Sequence, residues 1–293
     1  MRRRVPAAAD SKAPPGLDFL RSGPDAASAE GQAPGRPSDR RGMGVLADRL
    51  LWWRRYRPPP RRGRRVLRAL ALAIVAAVAV CVLAVLGLRW IDPPTTAFML
   101  EARHAAHARG EDDFRIRHYW VDWPYIAGAA KVAVVAAEDQ RFLEHDGFDV
   151  ESIADAVYER VKRGRERGAS TVSQQVAKNL FLWPGKSFLR KGLEAWFTLL
   201  IEHLWPKQRV LEVYLNVAQF GDGVFGVEAA SLLYFCKPAS DLSPGEAATL
   251  AAVLPNPVRF RADDPSPYVR SRSRWILAQM RRLGGTDLLD PLR

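Results

Sequence analysis

The chain has 293 residues, a net charge of +12, 48% hydrophobic residues and 9 tryptophans, enough apolar material for one or two folded domains. Residues up to Arg68 hold 17 Lys/Arg against 6 Asp/Glu, so +11 of the charge lies in the N-terminal tail and the rest of the chain carries only +1. That distribution argues against a nucleic-acid groove in the folded part, and two cysteines, Cys81 inside an apolar run and Cys236 far along the chain, make no disulfide framework.

Residues 1–66 are rich in Pro, Gly, Ala and Arg without an apolar period, which reads as a disordered basic tail. Leu50, Trp52 and Trp53 form a short patch near its end that suits a membrane interface. From Ala69 to Leu88 the sequence ALALAIVAAVAVCVLAVLGL has no charge. At ~1.5 Å per residue it spans roughly 30 Å, the thickness of a bilayer's hydrocarbon core. A cleaved signal peptide has an apolar region of about 7–15 residues near the chain start, so a permanent anchor over 67–89 is the better reading. Arg54, Arg55, Arg57, Arg61, Arg62, Arg64, Arg65 and Arg68 crowd its N-terminal flank, while Arg89, Asp92 and Glu101 follow it. The positive-inside bias puts the tail in the cytoplasm and the large C-terminal part outside.

After a juxtamembrane linker, 90–114, residues 115–285 read as one α-dominated domain, followed by a short tail, 286–293. Convincing alternating strands are absent. Lys131 to Ala137 is a near-continuous aliphatic stretch, a buried helix ending in charge at Glu138-Asp139. Asp149 caps a helix with apolar positions Val150, Ile153, Ala154, Val157, Tyr158 and Val161 at helical spacing. Thr171 with Gln174 and Ser243 with Glu246 fit capping boxes, and Pro244 fits the first helical position. Leu193 to Trp205 is apolar nearly all round, as a core or membrane-touching helix would be.

Three constellations carry candidate chemistry. In Glu138-Asp139-Gln140-Arg141-Phe142, with His145 and Gly147, a carboxylate follows an aliphatic run. Desolvation there disfavours the charged form and raises the carboxylate's proton affinity, which a general base requires; the plain alternative is a helix-end carboxylate paired with Arg141. Gly168 to Gln175, continuing to Lys178-Asn179, places Gln174 and Lys178 on one helix face, amide donors beside a cation. Such a face suits a phosphate or sugar hydroxyls, or is merely solvated. In Lys186-Ser187-Phe188-Leu189-Arg190-Lys191-Gly192-Leu193-Glu194, Ser187 looks like an N-cap and a second carboxylate stands among cations. Glu212 and Asn216 are candidate pocket-wall residues, Gly221-Asp222-Gly223 a turn, and Gly226 a helix start. Arg270, Arg272, Arg274, Arg281 and Arg282 read as a solvated helix face. His104 and His107 lack further ligands for zinc, and no Ser-x-x-Lys follows the membrane segment, which removes penicillin-binding-type acyl transfer.

In this order and spacing, these motifs resemble the peptidoglycan glycosyltransferase family (glycosyltransferase family 51), and within it the monofunctional, single-anchor members that lack a transpeptidase domain. The matching patterns are EDxxFxxHxG at 138–147, GASTxxQQxxKN at 168–179 and RKxxE at 190–194, then RVLEVYLN at 209–216 and FGxGxFGVExAS at 220–231. The long Arg- and Pro-rich tail departs from the pattern. The resemblance implies a lysozyme-like α-helical fold with a large lobe and a membrane-proximal jaw. It implies lipid II as substrate: the growing strand on undecaprenyl diphosphate is donor and the GlcNAc 4-hydroxyl is acceptor. Glu138 would be the base and Glu194 would handle the leaving diphosphate, with a divalent cation such as Mg²⁺ or Mn²⁺ near it. Arg141, Ser170, Thr171, Gln174, Gln175, Lys178, Asn179, Lys186, Arg190 and Lys191 would bind diphosphate and sugar. Expected partners are the bilayer, the growing strand and proteins of the division or elongation machinery, in the inner membrane. A lipid-bound substrate would also explain Phe181, Leu182, Trp183, Phe188, Trp196 and Phe197 as an interfacial cluster, with a plain core as the alternative for Trp196 and Phe197. The rivals are a lytic transglycosylase or glycan hydrolase on the same fold, which has no use for a dense phosphate-binding set, and a non-catalytic scaffold.

Overall fold

The computed structural model describes residues 61–164, 168–185 and 187–292. The tail up to residue 60, with its aromatic patch, lies outside the described residues, as does Lys186. Residues 65–293 form one compact unit; of the other, 1–64, the described part is the first turn of the anchor helix.

The apolar run forms α1, Arg61–Gly87, in which Gly63–Gly87 is long and apolar enough to cross a membrane. Residues 97–108, read from sequence as linker, fold as α2, Ala97–Ala108, because Thr96 caps it by accepting from Met99 N. Then come α3 (Gly128–Glu138), α4 (Val150–Arg163), α5 (Val172–Phe181), α6 (Phe188–Leu204), α7 (Lys207–Val217), α8 (Val227–Phe235), α9 (Pro244–Val253) and α10 (Pro267–Arg282). A small sheet missing from the sequence reading joins β1 (Arg117–His118), β2 (Gln219–Gly221) and β3 (Val224–Phe225) in the order β1-β3-β2. β3 is parallel to β1, with Arg117 opposite Val224, and antiparallel to β2. The fold is α-dominated, as expected.

Two packing centres position the site. α3 is buried from Ala130 to Ala136 and packs against α9, α10 and the C-terminal turns, so its last residue, Glu138, emerges from the core at a fixed point. α5 packs against α6 and α7, with α2 across it. Its reciprocal capping box is formed: Thr171 Oγ1 accepts from Gln174 N, and Gln174 Oε1 accepts from Thr171 N at 3.0 Å. Asp149, Ser187 and the Ser243–Glu246 box cap their helices as the sequence predicts. α4 differs in one respect: its apolar positions Val150, Ile153, Val157, Tyr158 and Val161 are exposed, because nothing in the described fold covers that face.

Lys131 is buried in the first turn of α3, where its ammonium donates to Trp123 O at 2.8 Å and lies 3.9 Å from the Trp123 ring. Burial pushes it down to about 8, against the pull of Glu212. Between about 8 and the unfolded value near 10.4 the unfolded chain holds a proton that the folded chain has released. Raising pH through that window therefore favours the folded state. Denaturation of the detergent-solubilised chain should show stability rising from pH 8 to 10, and Lys131→Met should flatten that rise; an unchanged slope in the variant would remove Lys131 as its source.

Candidate active site

Asp139, next to the candidate base, is the fixed point of the first motif. Its buried carboxylate accepts from Val172 N at 3.0 Å and faces His145 Nε2 at 2.9 and 3.1 Å. His145 Nδ1 accepts from Gly147 N at 3.1 Å, so the ring proton sits on Nε2 and is donated to Asp139. Gly147 takes φ +87, and a Cβ there would stand 2.7 Å from Glu202 and 2.8 Å from Thr198, so only glycine fits. Its carbonyl accepts from Thr171 Oγ1 at 2.7 Å. Lys207 closes the network, donating to His145 O at 2.5 Å and to Glu202 at 3.0 Å, while Ser173 donates to Glu202. These bonds pin the 138–147 loop to the start of α5.

Glu138 is thereby turned towards α5. Gln175 Nε2 donates to its Oε2 at 2.8 Å, and Gln175 Oε1 accepts from the Tyr214 hydroxyl at 3.2 Å. Burial, with Glu138 and then Asp139 nearby, holds the Tyr214 phenol well above its usual range, so it stays a donor. Arg141 is not the partner of Glu138: its guanidinium is taken by Glu144, Glu151 and Asp149. The cation near Glu138 is Arg272 of α10, 3.8 Å away, which corrects the reading of all five C-terminal arginines as a solvated face. The signal was there: Arg272 shares a helix face with the buried Ile276 and Met280, four and eight residues on.

Glu194 is 3% exposed and doubly paired, with Arg190 at 2.6 Å and with Lys191. Lys178 stands one turn along α5 from Gln175 and lines a cavity with it. Burial lowers its proton affinity, Glu194 and then Glu138 raise it, and Arg190 and Lys191 lower it again. Lys178 therefore feels both acids. Among the described residues, the buried side-chain polar atoms without a partner include Nε of Arg190 and Nε of Arg272, one beside each acid. Glu138 and Gln175 each line a cavity. One, of about 270 Å³, is lined by Glu138, Arg141, Ser170 and Thr171. The other, of about 200 Å³, is lined by Gln175, Lys178, Asn179, Tyr214 and Phe98. Phe98, from the supposed linker, lies with its ring 5.3 Å from the Lys178 ammonium.

Several expected residues have other duties. Thr171 and Gln174 spend their side chains on the α5 cap, so they shape the site rather than face it. Asn216 is buried and clamps Val121 through both N–H and C=O, and Glu212 accepts from Trp123 N at 2.7 Å and pairs with Arg209. Both hold the segment from Val121 to Trp123. The aromatic cluster divides: Leu182 and Phe197 are buried, Phe197 stacks on Phe181 at 4.4 Å, and Trp183 and Phe188 are exposed. Both oxygens of Glu194 are engaged by cations, and no group of three or more His, Cys, Asp or Glu gathers to hold a metal among the described residues.

A family model described as Transglycosylase matches residues 107–281. The chain is 52% identical over 232 residues to a protein of Xanthomonas campestris pv. campestris (strain B100) named biosynthetic peptidoglycan transglycosylase, covering 79% of this chain and 94% of that one. Proteins of the same name from Xanthomonas axonopodis pv. citri (strain 306) and Pseudomonas savastanoi pv. phaseolicola (strain 1448A / Race 6) are each 51% identical. These matches cover 82% and 78% of this chain, and 97% and 96% of theirs.

Replacing Asp139 by Ala strands the Val172 and His145 donors, at roughly 1–3 kcal/mol each. Thermal melting should show that loss, whereas Ala at the exposed neighbour Asp146 should change stability by less than about 0.5 kcal/mol. Equal melting of the two variants would remove the pinning role of Asp139.

Proposed function

The chain belongs to the transglycosylase family and is a peptidoglycan glycosyltransferase that polymerises glycan strands, and we propose that Glu138 is its base and the Lys178, Arg190 and Lys191 group its diphosphate site. The observation that carries this reading is Lys178 on α5, coupled to both carboxylates beside a cavity lined by polar side chains. A glycosyl transfer from a diphosphate needs a proton acceptor at one end and concentrated positive charge at the other.

The substrate is lipid II and the donor is the strand still on undecaprenyl diphosphate. As O4 of the acceptor GlcNAc bonds to the donor's anomeric carbon, its proton passes to Glu138. The anomeric C–O bond breaks with inversion, and its electron pair leaves on the diphosphate. Gln175 holds the Glu138 carboxylate in place by donating to the oxygen at 2.8 Å. Glu194 keeps Arg190 and Lys191 aimed, since without it two neighbouring cations would repel. Ser170 and Asn179, at the two cavities, are placed for sugar hydroxyls. Lys186 completes the diphosphate set on its sequence position alone. The N-terminal tail is cytoplasmic and the catalytic domain lies outside the inner membrane, on the side where the charge-poor flank of α1 emerges.

Purified chain given lipid II with Mg²⁺ in the buffer should make polymer, and shortening of preformed glycan without polymer would point to the lytic rival. Glu138→Gln should cut turnover by about 10²–10⁴-fold with the fold intact, and Glu194→Gln should also be severe; full turnover in the first variant removes the base assignment. A reporter fused after Arg293 should respond as extracytoplasmic. The alkaline limit of activity should lie below the ordinary lysine range, because burial makes Lys178 lose its charge early as pH rises. Lys178→Arg should move that limit upwards, and an unmoved limit would mean another group sets it.

A further inference from the structure

A lipid-borne diphosphate sits at a depth set by the bilayer, so the cleft that receives it must be held at a matching height. This inference rests on the lipid II reading. The last carbonyls of a helix have no partner within it, and an unsatisfied carbonyl at the edge of hydrocarbon is costly. At the end of α1 the catalytic domain supplies the partners. Val85 O accepts from the buried indole Nε1 of Trp205 at 2.7 Å. Leu88 O accepts from Arg209 Nε and Nη2 at 3.2 and 3.0 Å, and Nη2 also reaches Ile91 O at 3.1 Å and Asp92 at 2.9 Å. In return, Arg89 donates to Leu204 O at 2.7 Å. Val85 is fully buried in the domain core, whereas Leu70, Leu72, Ile74 and Val75 are exposed along the free length of the helix.

Every one of these domain groups comes from the junction of α6 and α7, from the last residue of α6 to the third of α7. α6 carries Glu194 ten residues before Leu204, and α7 carries Tyr214 five residues after Arg209. At ~1.5 Å per residue those are roughly 15 and 8 Å of rigid helix. Arg190, Lys191 and Glu194, and the Tyr214 hydroxyl that fixes the Gln175 amide, are thus mounted on the two helices whose junction grips the anchor. The remaining Arg209 nitrogen pairs with Glu212 at 2.8 Å and its guanidinium lies 5.1 Å from the Trp120 ring, which fixes its plane.

We propose that the α6–α7 turn is a socket for the end of the anchor, with Trp205 and Arg209 as positioning residues that set the height and tilt of the cleft over the bilayer. The anchor is a bracket, and not a tether.

The test uses the full chain in two formats: phosphatidylethanolamine–phosphatidylglycerol vesicles with undecaprenyl lipid II, and detergent micelles with a lipid II analogue bearing a short, water-soluble chain. The variants are Trp205→Phe, Arg209→Gln and a Gly-Ser-Gly insertion between Gly87 and Leu88, which changes no catalytic-domain residue. In vesicles each should lose about tenfold to hundredfold in rate, chiefly as a raised KM. In micelles each should match the parent within about twofold, since uniform chemistry is untouched. Parent rates for all three in vesicles overturn the proposal. Equal losses in both formats also overturn it, because they mark damage to the domain rather than misplacement. If the two substitutions fail to fold, the insertion decides alone. A parent without polymer in either format refutes the lipid II reading and the socket with it; an active parent with unaffected variants refutes the socket only.

Discussion

The bond from Gln175 to Glu138 is the contact on which the rest of the site depends, and its direction is imposed from behind. A carboxamide can present either its oxygen or its nitrogen to a neighbour. Tyr214 settles the matter: buried beside two acids, its phenol keeps its proton and donates, so the Gln175 oxygen must accept and the amide nitrogen is left to face Glu138. The amide donor thereby fixes the orientation of the Glu138 carboxylate. The chain of bonds therefore runs from α7 through α5 to the end of α3, and each link needs the one before.

The two carboxylates differ in how much of their charge is already answered. Glu194 is buried with both oxygens on cations; its work is to hold Arg190 and Lys191 at short range. Glu138 has one amide donor and one cation at 3.8 Å, leaving lone pairs directed at a cavity. That difference in pairing leaves one acid open to the cavity and ties the other to its two cations. The Glu138→Gln and Glu194→Gln variants should therefore fail for different reasons, the first in chemistry and the second in the placement of cations.

Local spacing made much of this legible. The caps at Asp149, Thr171, Ser187 and Ser243 depend on contacts within three residues, so the sequence alone places them. What it hid are contacts across long separations. Arg272 reaches Glu138 over more than a hundred positions, and β1 pairs with β3 across a similar span through strands of only two residues. Asn216 and Glu212 look like site residues by their polarity, yet their groups are consumed by backbone at Val121 and Trp123. Periodicity found the apolar face of α4 but says only that a face exists, not what covers it, and in the fold it is open. Arg209 was an unremarked part of its segment, since the carbonyls it caps belong to the anchor.

The charge distribution explains why recognition of a diphosphate is local here. After Arg68 the chain is almost neutral, +1 in all, so no whole-domain field draws anions from solution. A substrate confined to the same membrane has no need of such steering, because its encounter with the enzyme is two-dimensional. Positive charge can instead be concentrated in Lys178 and Arg190 beside the buried Glu194, where a salt-screened solvent does not reach it easily, with Lys191 at the exposed edge. That economy has a geometric condition: a short-range cluster acts only if the lipid's headgroup is brought to it. The seating of α1 in the α6–α7 turn, at the base of the helices that bear Glu194 and Tyr214, meets that condition in the structure.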